Sequence, residues 1–171
     1  QIGASAILTN NILVTFRAFA MGALFGVGAV YDLAFFGAHV GSLFGACLAV
    51  NPPFTAQIGA FIIGHVVIEI STVLFCGGAG MMIGYAMIDP GDLSRSQALK
   101  KKGFEAARIV IGSACLLFIA GIIEGFVSPA QIPPVIKYAT GISTGILMYS
   151  YLCLAGREDP TGEAVTTPAQ Q

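Results

Sequence analysis

The sequence predicts an all-α, polytopic helical membrane protein of about five transmembrane or partly re-entrant helices with glycine-rich packing. Three observations predict it. Of 171 residues, 56% are hydrophobic and 10% charged, where soluble domains carry about 25% charged residues. The apolar residues form long continuous blocks without the alternation of barrel strands. Glycine occurs 22 times without a Gly-X-Y period, well above the roughly 7% of average usage, in a chain whose mean hydropathy is +0.82. A net charge of −1 leaves no basic field for nucleic acid.

Residues 1–11 read as an exposed lead-in. They hold no basic segment followed by a cleavage site and so do not form a secretory signal, and without an initiator Met further chain is expected before Gln1. The bundle is expected over residues 12–155. The first span, 12–36, carries only Arg17 and Asp32 near its ends and suits a hydrocarbon core about 30 Å thick. The uncharged run 37–50 is a short span or a re-entrant segment, closed by Asn51-Pro52-Pro53. The third block, 55–88, would exceed about 50 Å as one helix, which predicts a tilt, bend or break, with Gly77-Gly78-Ala79-Gly80 as the breakpoint. Residues 104–127 and 135–154 form the fourth and fifth spans, separated by the turn from Ser128 to Pro134.

Orientation follows from the basic residues. The connection 89–103 holds Arg95, Lys100, Lys101 and Lys102, and cytoplasmic loops are enriched in Lys and Arg. This loop is therefore expected in the cytoplasm, as is the polar, disordered tail 156–171, with the 128–134 turn outside. Five crossings put Gln1 outside, whereas a re-entrant 37–50 puts it inside. Cys47, Cys76, Cys115 and Cys153 lie in apolar runs without a C-x-x-C pair and read as buried thiols.

Polar groups in lipid carry the functional signal. His65 and Glu69 stand four residues apart in the third block and share a helix face with Thr72 and Cys76. A carboxylate at mid-membrane costs about 2.5–3.5 kcal/mol on insertion scales and needs a partner, a proton or water. Three readings follow: a buried pair that fixes packing, a proton relay or ion site, and a metal site that His39 or Glu124 would have to complete. Glu124, just before Ser128-Pro129, reads either as a solvated helix end or as a partner for Arg17. Asp32 and Asn10-Asn11 read as interfacial caps.

The glycines have a pattern of their own. Gly22 and Gly26, then Gly37, Gly41 and Gly45, then Gly80 and Gly84, Gly121 and Gly125, and Gly141 and Gly145 are spaced by four, one set per proposed span. Such strips let helix backbones approach closely in lipid and point to a compact bundle or a tight oligomer.

Three stretches in order, Ile7-Leu8-Thr9-Asn10-Asn11-Ile12 leading into Phe19-Ala20-Met21-Gly22, then Gly64-His65-Val66-Val67-Ile68-Glu69, then Ala120-Gly121-Ile122-Ile123-Glu124-Gly125-Phe126-Val127-Ser128-Pro129, resemble the stage II sporulation protein M family of prokaryotic integral membrane proteins. The resemblance runs to about Gly156. It implies a multi-pass protein of the cytoplasmic (inner) membrane. The sporulating member holds peptidoglycan-degrading partners at the septum, and others accompany MoxR-type ATPases and von Willebrand A domain proteins. Members carry a further N-terminal region, usually with a hydrophobic segment, before the Asn-Asn stretch.

Two functions follow: a scaffold or anchoring subunit that organises partner proteins, working as an oligomer or within a larger complex, and a small transporter or ion pathway through His65 and Glu69. Besides the lipid bilayer, the expected partners are other membrane, periplasmic or cytoplasmic proteins. The chain has no phosphate-binding loop, no nucleophile with a base and no complete metal site, so neither a cofactor nor an enzymatic activity is expected.

Overall fold

The computed structural model describes residues 2–155, with side chains from Thr9 onward. Among these residues the chain forms five helices: α1 (Ile2–Ala23), α2 (Val27–Val50), α3 (Pro52–Ile88), α4 (Arg95–Phe126) and α5 (Pro134–Leu154). The proposed tail 156–171 lies outside the described residues.

The helix boundaries depart from the sequence reading at several places, each with a local cause. The stretch 1–11 is no lead-in, because α1 is already helical from Ile2. The expected span 12–36 is broken at Leu24-Phe25-Gly26, where Phe25 (φ 56°) and Gly26 (φ 79°) adopt the left-handed conformation. Gly26 N–H closes the end of α1 by donating to Gly22 O at 2.9 Å, the usual service of a glycine after a helix. The short run 37–50 is thereby the second half of a 24-residue helix.

Only Asn51 separates α2 from α3. Its Oδ1 accepts from Phe54 N–H at 3.1 Å, and Pro52 and Pro53 occupy first-turn positions whose N–H groups have no helical partner in any case. From there α3 runs unbroken for 37 residues, about 55 Å. The Gly77-Gly80 segment is helix throughout, and Gly77 and Gly80 serve packing instead, against Leu33 and Phe19. The polar loop shrinks to residues 89–94, because Ser94 and Gln97 form a reciprocal capping box that starts α4 at Arg95. Lys100, Lys101 and Lys102 therefore stand on the first turns of α4.

The helices run alternately up and down. Asn11 meets Glu69 and Gly22 meets Gly80, so α1 is parallel to α3. Leu33 packs at Gly77 and Met81 at Gly26, so α2 is antiparallel to it. Ile123 lies at Gly64, while Val110 and Ala114 share a cavity wall with Cys76, making α4 antiparallel. On α5, Gly145 faces Val67 and Tyr149 bonds Ser71, which restores the parallel direction.

α3 is the centre of the bundle and touches each of the other four helices, whereas the backbones of α4 and α5 do not approach each other closely among the described residues and meet only through side chains such as Met148 beside Ala120 and Ile123. Its buried residues, from Gly64 to Ala86, lie on several faces, as expected of a helix surrounded by others. Glycine enables the contact with α1: a Cβ on Gly22 would stand 2.6 Å from Gly77 O, and one on Gly80 would collide with Phe19 O. A Cβ on Gly84 would likewise stand 2.8 Å from Gly22 O. Gly141 abuts Ile63 O in the same way. In contrast, Gly37, Gly41, Gly45 and Gly125 face open space.

Three helices, α2, α3 and α4, are long and apolar enough to cross a bilayer. α1 and α5, expected as spans as well, carry more polar residues, among them Asn10, Asn11 and Arg17 in α1 and Lys137, Thr140 and Ser143 in α5. Of the four cysteines only Cys76 is buried, while Cys115 and Cys153 are exposed. The run-based expectation that all four are buried fails because outward positions of a membrane helix are apolar too.

Candidate functional site

The polar residues of α1, α3, α4 and the following turn meet at one level of the bundle. The i, i+4 spacing brings His65 Nε2 to 3.8 Å from Glu69 Oε2. Phe61, one turn earlier, packs edge-on against the imidazole with centroids 6.2 Å apart. The other ring nitrogen, Nδ1, lies 3.0 Å from Ser128 Oγ, just beyond the end of α4. His65 is 2% exposed and Ser128 2%, so this bond is sealed from solvent within the protein. Lys137 on α5 donates from Nζ to Ser128 O at 2.6 Å, which anchors the turn that carries Ser128.

Glu69 is held from the opposite side. Asn11 Nδ2 donates to its Oε1 at 2.5 Å, and Thr72 Oγ1 bonds its backbone carbonyl at 2.7 Å. Asn11 is therefore a ligand of the carboxylate rather than an interfacial cap. The hydroxyl of Thr15 returns to Asn11 O at 2.7 Å within α1, while the Asn11 bond to Glu69 joins the first helix to the third. The result is a chain of contacts Thr15, Asn11, Glu69, His65, Ser128, Lys137 that stitches four segments together.

Glu124 belongs to the same level and lies within electrostatic reach of Glu69. It is 1% exposed, and neither carboxylate oxygen has a hydrogen-bond partner. The expectation of a solvated helix end is thus overturned, because the last turn of α4 is covered where its neighbours pack. Its proposed pairing with Arg17 is overturned as well. Arg17 Nε instead meets Asp32 Oδ1 at 2.8 Å, one turn away across the α1–α2 hairpin. Asp32 is 5% exposed and is no interfacial cap. Both corrections have one origin, the turn at residues 24–26, which folds Asp32 back onto α1.

A metal centre does not assemble: among the described residues no three His, Cys, Asp or Glu side chains are grouped to hold an ion. His39, considered as a third ligand, lies on α2 stacked against Phe35 with centroids 6.4 Å apart. Beyond Glu69, the seam between α1, α3 and α4 continues as an apolar cavity of about 290 Å³ lined by Ile12, Phe16, Cys76, Leu117 and Phe118. The polar chain therefore occupies one end of the seam.

The second distinctive region is the far end of the α2–α3 hairpin. From Leu33 to Ile63 no residue is buried, although the segment is apolar and includes Phe35, Leu43, Leu48, Val50 and Phe54, all at least half exposed or nearly so. The strip Gly37, Gly41 and Gly45 lies on this segment with nothing against it.

Comparison with known proteins adds the family. The profile described as stage II sporulation protein M matches residues 2–129, so the match ends before α5 and short of the expected Gly156. A protein of Methanocaldococcus jannaschii described as uncharacterized is 31% identical over 130 residues, which cover 75% of this chain and 72% of that protein. No solved structure matches.

Proposed function

The chain belongs to the stage II sporulation protein M family, and on that premise we propose that it is a non-enzymatic, multi-pass scaffold of a prokaryotic cytoplasmic membrane that anchors partner proteins. The observation that carries this reading is the α2–α3 hairpin, with no buried residue between Leu33 and Ile63 and an open glycine strip. Glycine strips are the surface on which lipid-embedded helices associate, because close backbone approach supplies the van der Waals contact that lipid alone does not favour. The polar chain from Thr15 to Lys137 supports the reading as internal reinforcement. It ties α1, α3, α5 and the 128–134 turn into one body against which a partner can pull. The up-and-down helix order supports five crossings, with the 89–94 loop and the basic start of α4 on the cytoplasmic side.

The test is pulldown in mild detergent from the native membrane. Replacing Gly37, Gly41 and Gly45 together by Leu should release partners that the unaltered chain retains, with the helical signal in circular dichroism unchanged. Partner retention by this variant would refute the scaffold reading of the hairpin.

A second reading, a proton or ion pathway, rests on Glu124, an intramembrane carboxyl without a hydrogen-bond partner, since such groups commonly mark ion and proton routes. In proteoliposomes, Glu69→Gln and Glu124→Gln should each abolish flux if this second function operates. A scaffold moves nothing before or after these substitutions.

A further inference from the structure

α4 and α5 both pack on α3 without close approach of their backbones among the described residues, and the space between them is a groove of about 1140 Å³. Its floor is Phe75 and Ala79 of α3, one wall is Gly112 and Leu116 of α4, and the other is Leu147 and Tyr151 of α5. Ligand pockets in proteins commonly span about 300–1,000 Å³, so this groove takes a large ligand. It is mostly apolar, with Ser113 and Thr144 in its wall, and its one charged lining residue is Arg108, at one end with Met82 and Leu152. That is the end at which α3 passes into the 89–94 loop.

The charge arrangement there is specific. Lys102 is engaged by Glu105 at 2.7 Å, whereas Arg108 has no ion-pair partner among the described residues. Lys101 stands seven residues before Arg108, two turns away on the same helical face. A long cationic side chain near the end of a membrane helix reaches toward the headgroup layer while its stem stays in apolar surroundings. An apolar slot with an unpaired arginine at its cytoplasmic mouth is complementary to a molecule with hydrocarbon chains and an anionic head.

We propose that the groove between α4 and α5 is a binding site for one anionic phospholipid, its acyl chains lying along α3 and its phosphate held by Arg108. Basic pockets between membrane helices on the cytoplasmic side bind such headgroups. The inference rests on the membrane-spanning reading of the helices. It assigns the groove to a resident lipid and leaves the α2–α3 hairpin to protein partners.

Native mass spectrometry tests it on the full chain released from nanodiscs holding phosphatidylglycerol and phosphatidylcholine in equal amounts. Retained phosphatidylglycerol should exceed phosphatidylcholine by about fivefold, the weight of one arginine near an anionic membrane surface. Arg108→Gln should bring the ratio close to one. Gly78 and Gly112 line the groove, and an added Cβ meets nothing within 4 Å at either. Gly78→Leu combined with Gly112→Leu should therefore fill the groove and lose the lipid while circular dichroism is unchanged.

Equal retention of the two lipids by the unaltered chain overturns the proposal, as does undiminished retention by the folded glycine variant. Disulfide formation between the Cys115 residues of two copies in the bilayer, with the lipid absent, also overturns it, since a second copy then fills the groove. Should the glycine variant not fold, Arg108→Gln at its exposed position decides the matter alone. Flotation with liposomes separates the two levels of failure: a chain that does not float refutes the membrane reading, whereas a floating chain without lipid preference refutes only the site.

Discussion

Arg17 and Asp32 face each other across the α1–α2 hairpin, Nε to Oδ1 at 2.8 Å. The carboxylate side chain is 7% exposed and the guanidinium side chain 49%, so one partner is sealed in protein and the other reaches out. Asp32 Oδ2 has no hydrogen-bond partner, which makes the arginine the main stabiliser of that charge.

Removing either partner should destabilise the hairpin, and the two losses should not add. A double-mutant cycle with Arg17→Ala and Asp32→Ala, read by reversible unfolding in mixed micelles, is expected to give a coupling energy of about 1 kcal/mol. The half-exposed arginine keeps this below the 3–5 kcal/mol typical of breaking a fully buried pair, roughly. The matching cycle between Arg17 and Glu124 should be additive within about 0.5 kcal/mol.

Glycine positions of equal sequence spacing should respond in opposite ways. Gly22→Ala sets a methyl 2.6 Å from Gly77 O and 2.8 Å from Met81 N, both backbone atoms that yield only if the helices part. Overpacking of this kind costs about 1–3 kcal/mol. Gly41→Ala meets nothing and should leave the unfolding midpoint unchanged or raise it slightly, since alanine favours helix. Equal effects at both positions would contradict the packing described for α1 and α3.

Glu124→Met should raise the thermal midpoint. The native carboxyl is 1% exposed and unbonded, and a buried polar group without a hydrogen bond costs about 1–3 kcal/mol, a cost that an apolar side chain of similar length removes. A lowered midpoint would mean that Glu124 is engaged by a group that the structure does not show.

Ser128→Ala should weaken the closure of the polar chain by about 1 kcal/mol, the net worth of a typical hydrogen bond, because His65 Nδ1 loses its partner. The Lys137 contact should survive, since Lys137 bonds the backbone oxygen of Ser128. Lys137→Met combined with Ser128→Ala should therefore cost more than Ser128→Ala alone.

The glycine spacing that packs tightly at Gly22, Gly80 and Gly141 stays open at Gly37, Gly41 and Gly45, whereas helical class and the approach of His65 and Glu69 follow from hydropathy and spacing alone. The α1–α2 turn does not, because it is made of Leu24 and Phe25 and contains no polar residue. Gly26 was its only mark, and in a chain with 22 glycines one more carries little weight. The early start of α4 was legible in Ser94-Arg95-Ser96-Gln97, which has the S-x-x-Q form of a capping box, but the three lysines that follow give the segment the composition of a loop. Asn11 was missed as a ligand of Glu69 because the two are 58 residues apart, a relation that no local pattern contains.

α5 leans chiefly on one helix. Its seat on α3 is defined by Gly141 against Ile63, Gly145 against Val67 and the Ser71–Tyr149 bond of 2.8 Å. α5 is tied to the end of α4 through Lys137 and Ser128 and through Met148 beside Ala120 and Ile123, so the slot between the two helices is bounded at that end and runs toward Arg108 and Leu152. The molecule thus resembles a book whose spine is α3 and whose last two leaves, α4 and α5, are bound to each other at one end and stand apart at the other.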